Sequence, residues 1–264
     1  MVVSLCLMAS WAISQDTLTH NVFHRTVENH VALWCQAAQV GAYDWQVLLP
    51  VAAVTGAAMV WDPWFNGHFK RWGSFPVPGT ISSTITHLGD PRFLAGSAFL
   101  LYGSGWLLDD YKLRQTAVMA SEAFVHAAVI STFLKIAFSR QRPYVDGHDR
   151  WLFPVRGIPA IPEKGRDYLA FPSAHSTGVF TLATVLARQY SHKQWLPPLA
   201  YSLAGLTAFS RTTRQEHWLS DVIAGAALGY GVGHFVTQRN KNSRFTLMPT
   251  YWDNSVMLTM QVEL

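Results

Sequence analysis

Residues 117–143 read AVMASEAFVHAAVISTFLKIAFSRQRP, an apolar run that ends in a basic stretch. Within the run, Glu122 and His126 are four residues apart and would share one face of a helix. The 18-residue run 117–134 would form a helix roughly 27 Å long at 1.5 Å per residue. The stretch therefore predicts a helix that carries cations at its C-terminal end.

Five further apolar runs rich in Ala, Gly, Leu and Val occur before and after this one, at 46–60, 93–108, 175–187, 195–209 and 222–236. Turn-like sequences separate several of them, including Trp61-Asp62-Pro63, Pro76-Val77-Pro78-Gly79 and Gly89-Asp90-Pro91. The pattern predicts an all-α bundle of about six helices. Because a bilayer span needs about 20 apolar residues, the run lengths fit either a soluble bundle or short membrane spans.

The two ends of the chain differ from this helical centre. Residues 1–14 are apolar and end with small residues, which predicts a signal peptide. In 244–264, apolar residues alternate with other residues on both sides of Trp252-Asp253-Asn254, which predicts a short C-terminal β-hairpin. The region between them, 15–243, is predicted to be one helical domain.

The composition excludes several classes of protein. Half of the residues are hydrophobic, 14% are charged and the mean hydropathy is +0.12, which excludes a disordered chain and argues against an ordinary soluble enzyme. The net charge is +4 without a basic run, so we expect no nucleic-acid partner; an anionic substrate or an anionic membrane surface fits better. Two cysteines do not support a disulfide scaffold or a cysteine-built metal site.

Three polar stretches lie where apolar runs begin or end. They are 135–143 after the third run, 171–175 before the fourth, and 210–221 between the fifth and the sixth. If consecutive runs form antiparallel helices, all three stretches meet at the same end of the bundle.

The residue types in these stretches suit phosphate chemistry. Lys135, Arg142 and Arg211 supply cations, and the two guanidinium groups match tetrahedral oxyanions. Ser173 offers a hydroxyl group, and the helix that starts beside it offers free backbone N–H groups. These groups together predict a phosphate-binding site.

Two histidines in the same stretches suit phosphoryl transfer. His217 and Asp221 are four residues apart, so a hydrogen bond between them would fix the imidazole tautomer and leave the other ring nitrogen free to attack phosphorus. His175, on a different helix, is placed to donate a proton to the leaving oxygen. With no ligand cluster in the sequence, we expect neither a metal nor another cofactor, so the cations must stabilise the transition state.

Taken together, the spacings Lys135-x6-Arg142-Pro143, Pro172-Ser173-Ala174-His175 and Ser210-Arg211-x5-His217-x3-Asp221 resemble the three motifs of the type 2 phosphatidic acid phosphatase (PAP2) superfamily. This resemblance implies that His217 is a nucleophile that forms a phosphohistidine, Asp221 its orienting partner and His175 the general acid. It also implies a set of phosphate-binding residues, namely Lys135, Arg142, Ser173, Ala174 and Arg211. Ala174 stands where the family usually has Gly; it keeps the backbone N–H, and its methyl group is expected to tighten the approach to substrate.

The sequence thus predicts a metal-independent phosphatase that acts on a phosphate monoester or pyrophosphate, in particular of a lipid. The apolar composition and leader-like start predict a cell-envelope protein at or in the membrane, with its site facing the periplasm. Three alternatives remain open from the residues alone: a soluble periplasmic acid phosphatase for small phosphoesters, a vanadium-dependent haloperoxidase, and a non-catalytic membrane scaffold. The sequence does not specify an oligomeric state.

Overall fold

The computed structural model describes residues 26–35, 42–145, 165–242, 245–252 and 255–262. The described residues contain eight α-helices, which we number in chain order. They are α1 (26–35), α2 (Ala42–Gly73), α3 (Pro76–Ile85), α4 (Pro91–Leu107), α5 (Tyr111–Phe138), α6 (Ala174–Gln189), α7 (Leu196–Thr213) and α8 (Leu219–Asn242). Short 3₁₀ turns cover Thr86–Gly89 and Gly165–Tyr168.

The predicted all-α class is confirmed, but the prediction of about six helices is too low for the described residues. All six apolar runs lie in helices, and α1 and α3 are additional. Two turn predictions are wrong. The sequence at 76–79 opens α3, because proline suits the first position of a helix, and Asp62 and Pro63 lie inside α2.

Two compact units make up the chain, Gly41–Thr237 and a second unit of Met1–Val40 with Gln238–Leu264. In the second unit, strand β1 (Phe245–Trp252) pairs antiparallel with strand β2 (Ser255–Val262), with Phe245 opposite Val262. The predicted signal peptide lies outside the described residues, and the predicted domain limits at 15 and 243 stay predictions. All of the predicted site residues belong to the unit Gly41–Thr237.

Among the described residues, three helices are long and apolar enough to cross a membrane. The segments are Trp45–Gly73, Tyr111–Phe138 and Leu219–Arg239, with 29, 28 and 21 residues, whereas a span needs about 20. The helices exceed the apolar runs because polar residues at their ends also adopt helical structure. Large apolar side chains of α2 and α4 point away from the protein interior, among them Val60, Phe99 and Leu107.

Helix α6 lies in the centre of the unit Gly41–Thr237 and contacts both α5 and α7. Its Val185 packs with Ala123 of α5 and Val232 of α8, while its Val179 packs with Leu94 of α4 and Ala204 of α7. The small residues at these contacts allow the helices to approach closely. The core therefore joins the four helices α5 to α8, whose ends carry the predicted site.

A glycine stripe on α8 sets the distance between α8 and α6. Gly225, Gly229 and Gly233 follow one another at intervals of four residues. A Cβ atom added at Gly225 would lie 2.5 Å from the carbonyl oxygen of the α6 N-cap, Ser173. At Gly229 and Gly233 it would lie 2.2 and 2.9 Å from atoms of α6 itself. At the end of this contact, the Ser173 N–H donates to the Asp221 carbonyl oxygen at 3.0 Å. The stripe thereby brings the beginnings of α6 and α8 together.

Candidate active site

The three predicted polar stretches come together at one end of the helices. The Lys135 Nζ atom, near the end of α5, donates to the Leu169 carbonyl at 2.7 Å. The Ala170 N–H donates to the Arg140 carbonyl at 3.0 Å, and the Arg142 N–H to the Asp167 carbonyl at 2.8 Å. The segment 167–170 thus runs beside 140–142 and connects α5 to the start of α6.

Arg211 is the second cation of the site, and its side chain is only 8% exposed. It lies in the last turn of α7, and its Nη1 donates to the Thr86 Oγ1 at 2.6 Å. The Thr86–Gly89 turn therefore positions this guanidinium group through a neutral hydroxyl.

Glu216 joins Arg211 to Arg142. The Glu216 Oε2 atom accepts a hydrogen bond from Arg142 Nη1 and lies 3.6 Å from Arg211 Nη2. One carboxylate oxygen thus contacts both guanidinium groups that the sequence assigns to phosphate. The carboxylate presents to these groups a negatively charged oxygen, as a bound phosphate would.

The ring of His217 is fixed by a backbone carbonyl. Its Nδ1 atom lies 2.7 Å from the Ala170 carbonyl oxygen, which can only accept, so Nδ1 carries the proton and Nε2 carries the lone pair. Burial lowers the pKa of His217 well below 6.5, and Lys135, Arg142 and Arg211 lower it further. The ring is therefore neutral and nucleophilic at neutral pH.

The predicted hydrogen bond between His217 and Asp221 is not the one that the structure forms. The Asp221 Oδ2 atom accepts the N–H of Trp218 at 2.8 Å and lies 3.7 Å from His217 Nδ1. The difference arises because His217 precedes α8, which begins at Leu219, so the four-residue helical spacing does not apply. Asp221 is therefore a close neighbour of the ring, and the Ala170 carbonyl is the ring's hydrogen-bond partner.

His175 lies in the first turn of α6, against the turn that holds Arg211. A Cβ atom added to Gly89 would come within 2.8 Å of the His175 Cδ2 atom, so only glycine leaves room for the ring. Burial and then the Arg211 charge lower the pKa of His175 to about 3, although Asp90 acts in the opposite direction. The unliganded ring is therefore neutral at pH 7.

Ser173 and Ala174 form the start of α6. Ser173 is the N-cap, and its Oγ accepts the N–H of Ser176 at 3.4 Å. Its hydroxyl is thus engaged with the helix, and its own N–H is engaged with Asp221. Ala174 is exposed, so its methyl group lies at the surface. Within the described residues, no three His, Cys, Asp or Glu side chains come together as a metal site.

Comparison with known proteins assigns this arrangement to a family. Residues 116–245 match the sequence profile of the PAP2 superfamily, and they include every predicted site residue. The chain belongs to the PAP2 superfamily. Its fold is similar to that of LpxE from Aquifex aeolicus, with a TM-score of 0.50 and 20% identity over 66% of this chain and 93% of that one.

Three curated relatives of this PAP2 protein match parts of the chain. Lipid A 1-phosphatase of Porphyromonas gingivalis is 38% identical over 24% of this chain and 15% of the relative. A PA-phosphatase related-family protein of Dictyostelium discoideum is 28% identical over 52% and 53%, respectively. Lipid A 4'-phosphatase of P. gingivalis is 32% identical over 40% and 42%. The matches thus span about half or less of the length of these relatives.

Three charged residues of the site were not found by sequence reasoning. Arg140 lies inside the first PAP2 motif, between Lys135 and Arg142, but no spacing rule singled it out. Glu216 directly precedes His217, but its contact with Arg142, 74 residues away in the sequence, leaves no local pattern. Asp62 lies outside the matched PAP2 segment, and its neighbours Trp61 and Pro63 suggested a turn. Its side chain accepts hydrogen bonds from Arg140 and Ser220, and these bonds form only when α2 packs against α8.

Proposed function

We propose that this PAP2 protein is a membrane phosphatase that removes phosphate from a lipid phosphate monoester or pyrophosphate through a phosphohistidine intermediate. The observation that carries the proposal is the His217 ring. Its Nδ1 atom is held by the Ala170 carbonyl, which leaves Nε2 with a lone pair beside the cations Lys135, Arg142 and Arg211. A fixed neutral imidazole next to an oxyanion site is the arrangement that nucleophilic attack on phosphorus requires.

In the first step, His217 Nε2 attacks phosphorus and the bond from phosphorus to the leaving oxygen breaks. The leaving oxygen takes a proton from His175, while the three cations stabilise the charge on the non-bridging oxygens. In the second step, water attacks phosphorus and passes a proton to His175. The phosphorus–nitrogen bond breaks, inorganic phosphate leaves, and His217 becomes neutral again.

His175 must gain a proton before it can act as the acid. Its pKa of about 3 in the free protein reflects burial and the positive field of Arg211. A phosphate group bound between the cations brings about two negative charges and reverses that field. The substrate itself would therefore raise the pKa of His175 and make the ring a proton donor.

A lipid substrate fits the surface of the protein better than a small phosphoester. Three helices of the described residues are long and apolar enough to cross a membrane, and large side chains of α2, α3 and α4 are exposed, such as Trp61, Ile81 and Leu107. Two curated relatives are named as lipid A phosphatases. We therefore propose a cell-envelope location with the site facing the periplasm.

The substrate class is tested by a phosphate-release screen with the full-length protein in detergent. Phosphatidate, phosphatidylglycerophosphate, lipid A and undecaprenyl pyrophosphate are compared with p-nitrophenyl phosphate by malachite green. We expect at least one lipid to be hydrolysed with a higher kcat/KM than p-nitrophenyl phosphate. Orthovanadate should inhibit because it mimics five-coordinate phosphorus, and EDTA should have no effect.

Three results would contradict the proposal. Hydrolysis of p-nitrophenyl phosphate alone, by protein that stays active without detergent, would favour a soluble acid phosphatase. Bromide oxidation that depends on added vanadate would favour a haloperoxidase. Loss of lipid hydrolysis in EDTA, restored by a divalent cation, would disprove the metal-independent mechanism.

Glu216 is expected to compete with the substrate phosphate for Arg142 and Arg211. The variant Glu216→Gln removes the competing negative charge, so KM for the lipid phosphate should fall by roughly two- to five-fold, as expected for one partly exposed ion pair. The variant Glu28→Gln on α1, a carboxylate outside the unit that holds the site, is the matched control. A higher KM in Glu216→Gln would instead mean that Glu216 holds the two arginines in their binding positions.

A further inference from the structure

Three charged side chains from different parts of the chain form a buried cluster behind His217. Arg140 donates from Nη2 to the Asp62 Oδ2 at 2.6 Å and from Nη1 to the Asp221 Oδ1 at 2.5 Å. Asp62 and Arg140 are each 1% exposed, and Asp221 is fully buried. The Arg140 guanidinium also lies 5.4 Å from the centre of the Trp218 ring.

Asp62 also fixes the beginning of α8. Its Oδ1 accepts the Ser220 N–H at 3.1 Å, and its Oδ2 accepts the Ser220 hydroxyl at 2.5 Å. Ser220 in turn accepts from Arg140 Nη1 at 2.6 Å. A carboxylate at the first turn of a helix is favoured by the free N–H groups and the helix dipole. These bonds hold the turn that carries His217, three residues before Ser220.

The charges in the cluster do not cancel. Arg140 is shared by two carboxylates, so the group carries a formal charge of minus one beside the His217 ring. When Nε2 attacks phosphorus while Nδ1 keeps its proton, the ring becomes positively charged. In a buried site, a nearby negative charge stabilises that state strongly. Without Asp62, Arg140 would pair with Asp221 alone and cancel its charge.

We propose that Asp62 is a positioning residue for phosphoryl transfer to His217 and acts through Arg140 and Ser220. The inference rests on the proposed function, because it concerns the same nucleophile. It adds to the reaction a residue of α2 that precedes the segment matched to the PAP2 superfamily. Asp62 contacts none of Lys135, Arg142 and Arg211 in these bonds, so its effect should fall on the chemical step and not on substrate binding.

The test is a single-turnover measurement with the full-length protein in detergent. The substrate is the lipid phosphate with the highest kcat/KM in the phosphate-release screen, radiolabelled on its phosphoryl group. The rate constant reports phosphoryl transfer, and the amplitude reports the fraction of active protein. In Asp62→Asn, the rate constant should fall about 10- to 100-fold, the range found when residues that orient metal ligands are lost. KM should change less than about two-fold, since direct binding interactions are kept.

Three further variants separate positioning from general destabilisation. Asp110→Asn, at the N-cap of α5, makes the same change away from the cluster and should keep the wild-type rate constant. Ser220→Ala, a milder change, should slow transfer several-fold. In the background Arg140→Gln, adding Asp62→Asn should cause a smaller loss than in the wild type, because only the contacts of Asp62 with Ser220 are left to act.

Two outcomes would overturn the inference. If wild-type protein forms a phosphoenzyme and both Asp62→Asn and Ser220→Ala form it at the wild-type rate, Asp62 has no role in the chemical step. If only the amplitude falls in both variants, Asp62 is structural alone. A wild-type protein that hydrolyses the lipid without a phosphoenzyme would instead overturn the proposed function, and this inference with it.

Discussion

The variant His217→Ala is expected to release no measurable phosphate from the lipid substrate. Alanine removes the only ring nitrogen that the Ala170 carbonyl leaves free to attack phosphorus, and loss of a catalytic nucleophile costs at least about 10⁴-fold in kcat. The protein should still bind phosphate, because Lys135, Arg142 and Arg211 remain. Malachite-green release measures the activity, and isothermal titration with inorganic phosphate measures binding to the three cations.

His192 offers a matched control for this variant. It is an exposed histidine just after α6, and His192→Ala should keep wild-type activity. Full hydrolysis by purified His217→Ala would exclude His217 as the nucleophile. Unfolding of His217→Ala, detected as a lowered Tm together with loss of inorganic phosphate binding, would be addressed with His217→Gln.

The variant His175→Ala is expected to lose about 10²–10⁴-fold in kcat, the range for removal of a general acid. The loss should be greatest for a poor leaving group such as a lipid alkoxide, and smallest for p-nitrophenolate, which leaves without a proton. The measurement is kcat for both substrates in the wild type and the variant. An equal loss for the two leaving groups would contradict the role of His175 as the proton donor.

The low pKa of His175 determines whether kcat/KM rises or falls with pH. The free ring is neutral above pH 3 or so, because its pKa is about 3, so the proton must arrive with the substrate or after it binds. Phosphate monoesters lose their second proton with a pKa of about 6. The account thus implies that kcat/KM falls as the pH rises above that value.

Much of the helical fold was accessible from the sequence, because long apolar runs bounded by polar residues indicate helices whatever their partners are. The two errors at 61–63 and 76–79 both come from proline. Pro76 opens a helix, where its missing N–H costs nothing. Pro63 lies within α2, and the contacts of its neighbour Asp62 with Arg140 and Ser220 stabilise the helix there. Such long-range contacts leave no local pattern.

The site also contains some residues that the sequence indicated and others that it did not. The residues of the three motifs were found because helix ends gather at one end of an antiparallel bundle, and Lys135, Arg142 and Arg211 do act together on the pKa of His217. The partner of the His217 ring was wrong, since the Ala170 carbonyl comes from a chain segment that helical spacing does not describe. Glu216 and Asp62 were missed because their importance depends on which cation each one contacts.

The most direct measurement of the central claim is chemical trapping of the phosphoenzyme. Wild-type protein is mixed with radiolabelled lipid phosphate, quenched within the first turnover in alkali and analysed by peptide mass spectrometry. The account predicts one phosphoryl group per active site, stable in alkali and labile in acid, on the Nε2 atom of His217. Label on any other side chain, or full turnover with no covalent label, would contradict it.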